Sequence, residues 1–260
     1  MSSERAVHIV TGSAAGIGAA CVRRLAAAGA GVVVNYTRSE AAARDVAAAC
    51  VAAGGDAVVV QGDVAEDGAC RAMVEAALTR WGRLDGLVNN AATTVFAPHA
   101  DLDALDAASF QRLYAVNVVG PYQMARAAAT ALRASGGAIV NVSSMAGLTG
   151  DGSSIAYAAS KGALNTLTMS LARVLAPQVR VNAIAPGLVD TRWTVAGLGV
   201  EAAAKRVAGW EAAAPLGRVL TADDVAGAIC WLLREAPGIT GEVIRLDGGM
   251  HLGPAPRARA

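Results

Sequence analysis

The chain has 260 residues, long enough for one large α/β domain or two small ones. Hydrophobic residues make up 54% of it and can fill a large core. The net charge of +1 gives no electrostatic case for a nucleic acid or an anionic membrane as partner.

Ala6–Thr11 is a short β-branched run and reads as a strand. It runs into Gly12-Ser-Ala-Ala-Gly16-Ile-Gly18, followed by the helix-forming run Ala19–Ala28. Strand, glycine turn and helix in that order can bring a diphosphate to a helix N-terminus, where free N–H groups and the dipole favour anions. The spacing is G-x-x-x-G-x-G, not G-x-G-x-x-G, and a glycine turn alone can be no more than a tight loop.

Gly31–Tyr36 is a second strand, and Ser39–Ala53 a helix with Ser39 placed to cap it. Ala57–Gln61, a helix over Glu66–Trp81 and a strand over Leu84–Val88 follow. Ala107–Ser135 reads as one long helix bent at Gly120-Pro121. Ala138–Val142 is the fifth strand, Ser154–Ala176 a helix and Val179–Ile184 the sixth strand. Gly187–Ala214 reads as irregular with a possible short helix, Thr221–Glu235 as a helix capped by Thr221, and Glu242–Leu246 as the last strand. The proline- and arginine-rich tail 253–260 reads as disordered.

Strict alternation of strands and helices predicts one α/β domain over residues 1–260. Its core would be a Rossmann-like, doubly wound parallel sheet of about seven strands with helices on both faces. Ligands of such a sheet bind at the carboxyl ends of the strands. Gly12–Gly18, Asn35–Arg38, Asp63, Asn89-Asn90, Ser143-Ser144 and Pro186-Gly187 all fall at such ends.

The chemistry concentrates in Ser144–Lys161. Tyr157 and Lys161 are four apart and share one face of a helix, roughly 5–6 Å from each other. An ammonium so near a phenol favours the phenolate and should lower its pKa from about 10. Ser144, thirteen positions before Tyr157, can bond the same substrate oxygen. Such a pair also occurs by chance on many solvated helix faces, so its weight comes from the other motifs.

Cys21, Cys50, Cys70 and Cys230 lack C-x-x-C spacing, and His8, His99 and His251 are isolated. This predicts packed free thiols in a reducing cytoplasm and no metal site. No signal peptide is expected before Gly12, and no run of about 18 apolar residues offers a membrane span.

Taken together, these motifs resemble the short-chain dehydrogenase/reductase family in its compact form, including 3-oxoacyl-[acyl-carrier-protein] reductase-like members. The resemblance runs from Thr11 to Leu252. It rests on Thr11-Gly12-x-x-x-Gly16-Ile17-Gly18, Asp63-Val64, Asn89-Asn90-Ala91-Ala92, Asn117, Ser144, Tyr157-Ala-Ala-Ser-Lys161, Pro186-Gly187 and Asp247-Gly248-Gly249. Ala92 departs from the family's usual glycine.

The resemblance implies an oxidoreductase moving a hydride between a nicotinamide cofactor and a ketone or secondary alcohol. Tyr157 would be the proton donor or acceptor. Lys161 would lower its pKa and bind the nicotinamide ribose. Ser144 would orient the carbonyl, and Asn117 would hold a water linking Lys161 to solvent. Ser143 should face the other way from Ser144. Gly12, Ser13, Gly16, Ile17 and Gly18 would line the diphosphate and ribose, Asp63 and Val64 the adenine, and Asn90 and Ala91 the adenosine ribose. Ile184, Pro186, Gly187 and Val189 would flank the nicotinamide, with Thr191 at its carboxamide.

An acid at the end of the second strand would repel a 2′-phosphate, but this place reads Asn35-Tyr36-Thr37-Arg38. Arg38, assisted by Ser13 and Asn35, therefore favours NADP(H), with NAD(H) possible. Against this, Ala15 stands where many NADP-using relatives carry a basic residue.

Residues 187–215 should form a substrate lid carrying Trp193, Leu198, Val200 and Trp210. Thr93, Thr94, Val95, Phe96 and 145–154 would supply the other walls for an apolar, uncharged substrate, such as a 3-oxoacyl thioester. The helix Ala156–Ala176 has only Lys161 and Arg173 charged, so its outer side should meet a second subunit in a homodimer or homotetramer.

Other classes fit less well. A nucleotide-sugar epimerase or dehydratase shares the tyrosine and lysine, but usually adds a C-terminal substrate domain. A methyltransferase lacks the pair. A redox sensor that holds the nucleotide without turnover could lose the proton donor, yet Ser144, Tyr157 and Lys161 are all present.

Overall fold

The structure is a computed structural model describing residues 5–253. The first half of the chain forms β1 (Val7–Val10), α1 (Gly16–Ala27), β2 (Gly31–Tyr36), α2 (Glu40–Ala52), β3 (Asp56–Gln61), α3 (Asp67–Trp81), β4 (Gly86–Asn89), α4 (Ala107–Tyr114) and α5 (Gly120–Ser135). The second half forms β5 (Ala138–Val142), α6 (Ala146–Thr149), α7 (Ile155–Leu175), β6 (Arg180–Pro186), α8 (Arg192–Leu198), α9 (Val200–Ala213), α10 (Ala222–Arg234) and β7 (Val243–Leu246). The seven strands form one sheet in the order β3-β2-β1-β4-β5-β6-β7, and every pair is parallel. The direction of winding reverses between β1 and β4, which opens the crevice at their carboxyl ends.

The pleat sorts the strand side chains into two cores. Val10, Val32, Val34, Val88, Val140 and Ile184 face α1, α2 and α10. Val7, Ile9, Val33, Leu87, Ile139 and Val181 face α3, α5 and α7. Because both sheet faces are covered, the strands read as continuous apolar runs rather than alternating ones. The four cysteines are free and buried, each in a helix: α1, α2, α3 and α10.

Three expectations need correction. The long helix over 107–135 widens into a π-turn at Ala115–Val119 before α5 resumes at Gly120. Pro121 has no N–H to give to the carbonyl four residues back, at Asn117, so the regular ladder cannot pass through it. The lid is not irregular: it is the two helices α8 and α9, separated by Gly199 at φ +80° and ψ 166°. Ser39 occupies the N-cap of α2 but makes no side-chain capping bond. Thr221, by contrast, accepts from the Asp224 amide at 3.1 Å, and the Asp224 carboxylate accepts from the Thr221 amide at 2.8 Å, a complete capping box. The tail predicted to be disordered lies, from residue 254 onward, outside the described residues.

His8 sits in β1 with neither ring nitrogen bonded among the described residues. A Cβ at Gly86 on neighbouring β4 would overlap its ring, so glycine makes the room for it. Burial pushes the imidazole down to about 4, opposed by Asp85 and assisted by Arg234. The folded state therefore holds His8 neutral while the unfolded chain takes up a proton below about 6.5. The stability this gives is present above pH 6.5 and is lost as pH falls through 4. We expect His8→Leu to flatten urea unfolding free energy across that window, where wild type loses about 3 kcal/mol more than the variant.

Candidate active site

The crevice is built by three polar side chains that tie strand ends together. The Thr11 hydroxyl donates to the Val88 carbonyl at 3.3 Å and accepts from the Asn90 and Ala91 amides at 3.0 Å each. The Asn90 amide group donates to the Thr11 and Gly12 carbonyls at 2.9 and 3.1 Å. The turns after β1 and β4 are thus pressed together. A Cβ on Gly12 would stand 3.0 Å from the Ala91 Cα, and one on Gly18 would stand 2.6 Å from the Asn90 amide nitrogen.

The third tie is Asn35, and it corrects an expectation. Its Oδ1 accepts from the Gly12 amide at 2.8 Å, and its Nδ2 donates to the Gly62 carbonyl at 3.0 Å. Ser13 Oγ in turn accepts from the Asn35 amide at 2.9 Å and donates to the Val10 carbonyl at 2.7 Å. Both residues are buried and spent on the backbone, so neither side chain assists Arg38 with a phosphate. Arg38 itself is exposed and pairs with no carboxylate among the described residues.

The turn fits a dinucleotide's diphosphate. The N-cap of α1, Ala15, has no side chain to bond the first amides of the helix, and its first turn has no acid. Those amides are left for an anion. Gly16, at φ +56°, faces the Thr191 methyl across the crevice: a Cβ there would lie 3.8 Å from it. Ile17, Asn90, Ala91, Gly187, Val189 and Thr191 are half-buried around this opening. Asp63 is exposed at the end of β3, with Oδ1 accepting from the Ala65 amide, so it caps its turn and keeps one carboxylate oxygen free. Burial limits two other expectations. Val64 turns its side chain into the core, where a Cβ on Gly120 would touch it at 2.7 Å, so only its backbone is left to meet an adenine. Ile184 is fully buried in the core beneath the crevice. Pro186 is also buried, at the end of β6.

Tyr157 and Lys161 do share a face of α7. The Lys161 Nζ lies 5.7 Å from the centre of the tyrosine ring and donates to the Val142 carbonyl at the end of β5, at 2.8 Å. Ser154 caps α7 and accepts from the Tyr157 amide at 3.2 Å, which fixes where the tyrosine begins its turn. Ser144 lies close enough to the Tyr157 hydroxyl to favour its ionised form, while its Oγ accepts from the Ala146 amide at 3.1 Å. Ser143 points inward, donating to Asn165 Oδ1 at 2.5 Å, so the two adjacent serines face opposite ways.

The electrostatics reverse one expectation. Burial pushes the Tyr157 phenol up to about 12, with nearby Ser144 opposing, instead of the lysine pulling it below 10. Burial also brings Lys161 down to about 8. Desolvation thus outweighs the attraction between the two groups in the chain by itself. The phenol keeps its proton at neutral pH, and the lysine keeps its charge up to about pH 8.

Asn117 lies in the π-turn, and its amide is fully used. Oδ1 accepts from the Thr93 amide at 2.9 Å, while Nδ2 donates to the Thr93 carbonyl and the Ser160 hydroxyl at 3.0 Å each. Both amide protons are taken by protein groups, so the side chain is spent clamping the loop after β4 to α7. The signal for this was Pro121, which breaks the helix at that residue.

A family model described as enoyl-(acyl carrier protein) reductase matches residues 12–251. The chain is 44% identical over 250 residues to "Granaticin polyketide synthase putative ketoacyl reductase 2" of Streptomyces violaceoruber, covering 96% of this chain and 97% of the relative. It is 37% identical over 250 residues to 3beta-hydroxysteroid dehydrogenase 1 of Eggerthella lenta, covering 95% and 94%. A solved short-chain dehydrogenase/reductase structure from Burkholderia xenovorans superposes with a TM-score of 0.89 at 45% identity, over 96% of this chain and all of that one. The chain belongs to the short-chain dehydrogenase/reductase family. It is an NAD(P)-dependent oxidoreductase acting on CH–OH and C=O groups.

Holding an ammonium in this site costs the fold. Burying a charge costs several kcal/mol, against about 1.5–3 kcal/mol for the charged bond to the Val142 carbonyl. We expect Lys161→Met to raise the urea midpoint at pH 7. Because the folded-state value of about 8 lies below the unfolded 10.5, the wild-type penalty fades as pH rises between them, and the gap should close by pH 10.5.

Proposed function

We propose that the chain reduces an uncharged, largely apolar ketone with NADPH, the reverse oxidation using the same groups. When bound, the dinucleotide supplies the hydride or accepts it. Tyr157 gives its proton to the carbonyl oxygen as the hydride arrives at the carbon, and takes it back from the alcohol in the other direction. Ser144, beside the Tyr157 hydroxyl, holds the substrate oxygen in line and stabilises charge growing on it. The ammonium of Lys161 would stabilise the phenolate left after transfer, and its two donors not used on Val142 would be left to hold ribose hydroxyls of the dinucleotide. Asn117 acts as a positioning residue through Thr93 and Ser160.

The observation that carries this reading is Tyr157, Ser144 and Lys161 converging at the ends of β5 and α7, beside an uncapped α1. A high phenol pKa suits reduction, since the donor starts fully protonated. Tyr157→Phe should lower kcat for ketone reduction by at least a hundredfold while dinucleotide binding stays within threefold of wild type. Undiminished kcat would overturn the assignment. Wild-type reduction should be flat below pH 8 and decline above it, as Lys161 loses its charge.

The preference for NADP(H) rests on Arg38, exposed and without a carboxylate partner among the described residues, at the end of β2 where no acid stands. Arg38→Asp should move the NADPH-to-NADH ratio of kcat/KM at least tenfold toward NADH; an unmoved ratio would refute the preference.

The chain acts as a homodimer or homotetramer in this reading, and four free thiols with no disulfide fit a cytoplasmic setting. The outer side of α7 is not bare, because α4 and the π-turn pack against part of it. The large apolar side chains that stay exposed there are Met169 and Val174 on α7, Phe110 on α4, Val119 in the π-turn and Tyr122 on α5. A second copy is the partner that suits this apolar face. Met169→Glu should shift light-scattering mass toward the monomer, and an unchanged mass would count against that face.

A further inference from the structure

All four cysteines are buried, but two of them share one seam. α1 packs along α10, and Cys21 on α1 and Cys230 on α10 belong to the same core cluster. Arg24, a turn after Cys21, lies over Gly227, a turn before Cys230: a Cβ on that glycine would stand 3.8 Å from the guanidinium Cζ. The two thiols lie close enough that each is the first influence on the other's proton. Cys50 and Cys70 are not part of this pair. Cys70 donates to the Val64 carbonyl at 3.4 Å, and burial pushes both thiols up to about 11.

The facing thiols are not equivalent. Cys21 keeps its proton well above the ordinary thiol range, because of Cys230 first and burial second. Cys230 is drawn below that range, first by the Cys21 thiol and then, against burial, by the guanidinium groups of Arg24 and Arg234. It also keeps some exposed surface, 8% against 0% for Cys21. Cations beside a cysteine with an opening to solvent make it nucleophilic. Cys21, behind it, has the place of a resolving thiol.

The seam bears on the dinucleotide turn. Gly18 lies one turn before Cys21, and a Cβ on it would stand 2.7 Å from the Gly12 carbonyl oxygen and 2.8 Å from the Ser13 Cα. The start of α1 therefore has no slack against the turn whose amides are left for an anion. A disulfide draws two sulfurs well inside their contact distance. Closing one at Cys21 would shift α1 and with it the amides at its N-terminus.

We propose that Cys21 and Cys230 form an oxidation site, at which a peroxide joins α1 to α10 by a disulfide and weakens dinucleotide binding. The Cys230 thiolate attacks the peroxide O–O bond and keeps one oxygen as a sulfenic acid; the other leaves as hydroxide and is protonated to water. The Cys21 sulfur then displaces the sulfenic hydroxyl, which leaves with the Cys21 proton as a second water. The thiols are oxidised and the peroxide is reduced. A dithiol reverses the bridge by exchange. The loss of binding rests on the reading of the α1 turn as the dinucleotide site, whereas the disulfide does not.

The test treats the full chain with hydrogen peroxide, maps its disulfides by peptide mass spectrometry and reads NADPH affinity by fluorescence. The expected result is one bridge, between the peptides of Cys21 and Cys230, with the NADPH dissociation constant raised about tenfold and restored by dithiothreitol. Cys21→Ser and Cys230→Ser should each keep their affinity through the treatment, and the double variant C50S/C70S should respond as wild type does. No bridge, or one to Cys50 or Cys70, overturns the site. A bridge between Cys21 and Cys230 that leaves the affinity unmoved overturns the effect on binding. A reduced chain that binds neither NADPH nor NADH overturns the dinucleotide reading, and the mapped bridge still decides the site.

Discussion

Desolvation governs the reactive end of this molecule. Lys161 is buried at the base of the crevice with one protein acceptor, the Val142 carbonyl, and its charge is held at a cost. The same dry surroundings keep the proton on Tyr157, against the pull of the ammonium beside it. A site that holds a reluctant donor next to a reluctant cation is poised to gain when negative charge moves onto the phenol oxygen. The pairing is worth more in the transition state than in the resting chain, which is the condition for catalysis rather than mere binding.

That arrangement depends on the crevice keeping its shape. Thr11 and Asn90 tie the ends of β1 and β4 to each other, and Asn35 ties the end of β2 to those of β1 and β3. Their bonds replace the ladder hydrogen bonds that stop where the strands do, so the turns after β1, β2 and β4 are fixed without any ligand. Asn117 performs the same task on the other side, joining the loop after β4 to α7. The cap of the Tyr157 helix, the clamp behind it and the glycine turn in front are therefore parts of one frame.

The lid also shows how aromatic rings and glycines divide labour. Trp210 packs α9 onto Gly187, whereas Trp193 on α8 is exposed. One half of the lid is thereby joined to the body.

Much of this was legible in the residues in order. The parallel sheet follows from alternating β-branched runs and alanine-rich helices, and the facing of Tyr157 and Lys161 follows from helical spacing alone. The opposed directions of Ser143 and Ser144 follow from the pleat. What spacing could not reveal is where a polar side chain spends its bonds. Asn35, Ser13 and Asn117 have the composition of ligand contacts, yet each is used up on a backbone segment at least 20 residues away in sequence. Val64 and Ile184 lie at motif positions but point into the core. Local pattern determines element type and helix face because those depend on neighbours a few residues apart. The pKa of Tyr157, the tasks of the buried asparagines and the meeting of Cys21 with Cys230 were decided only when distant segments packed, because burial and contact are properties of the folded whole.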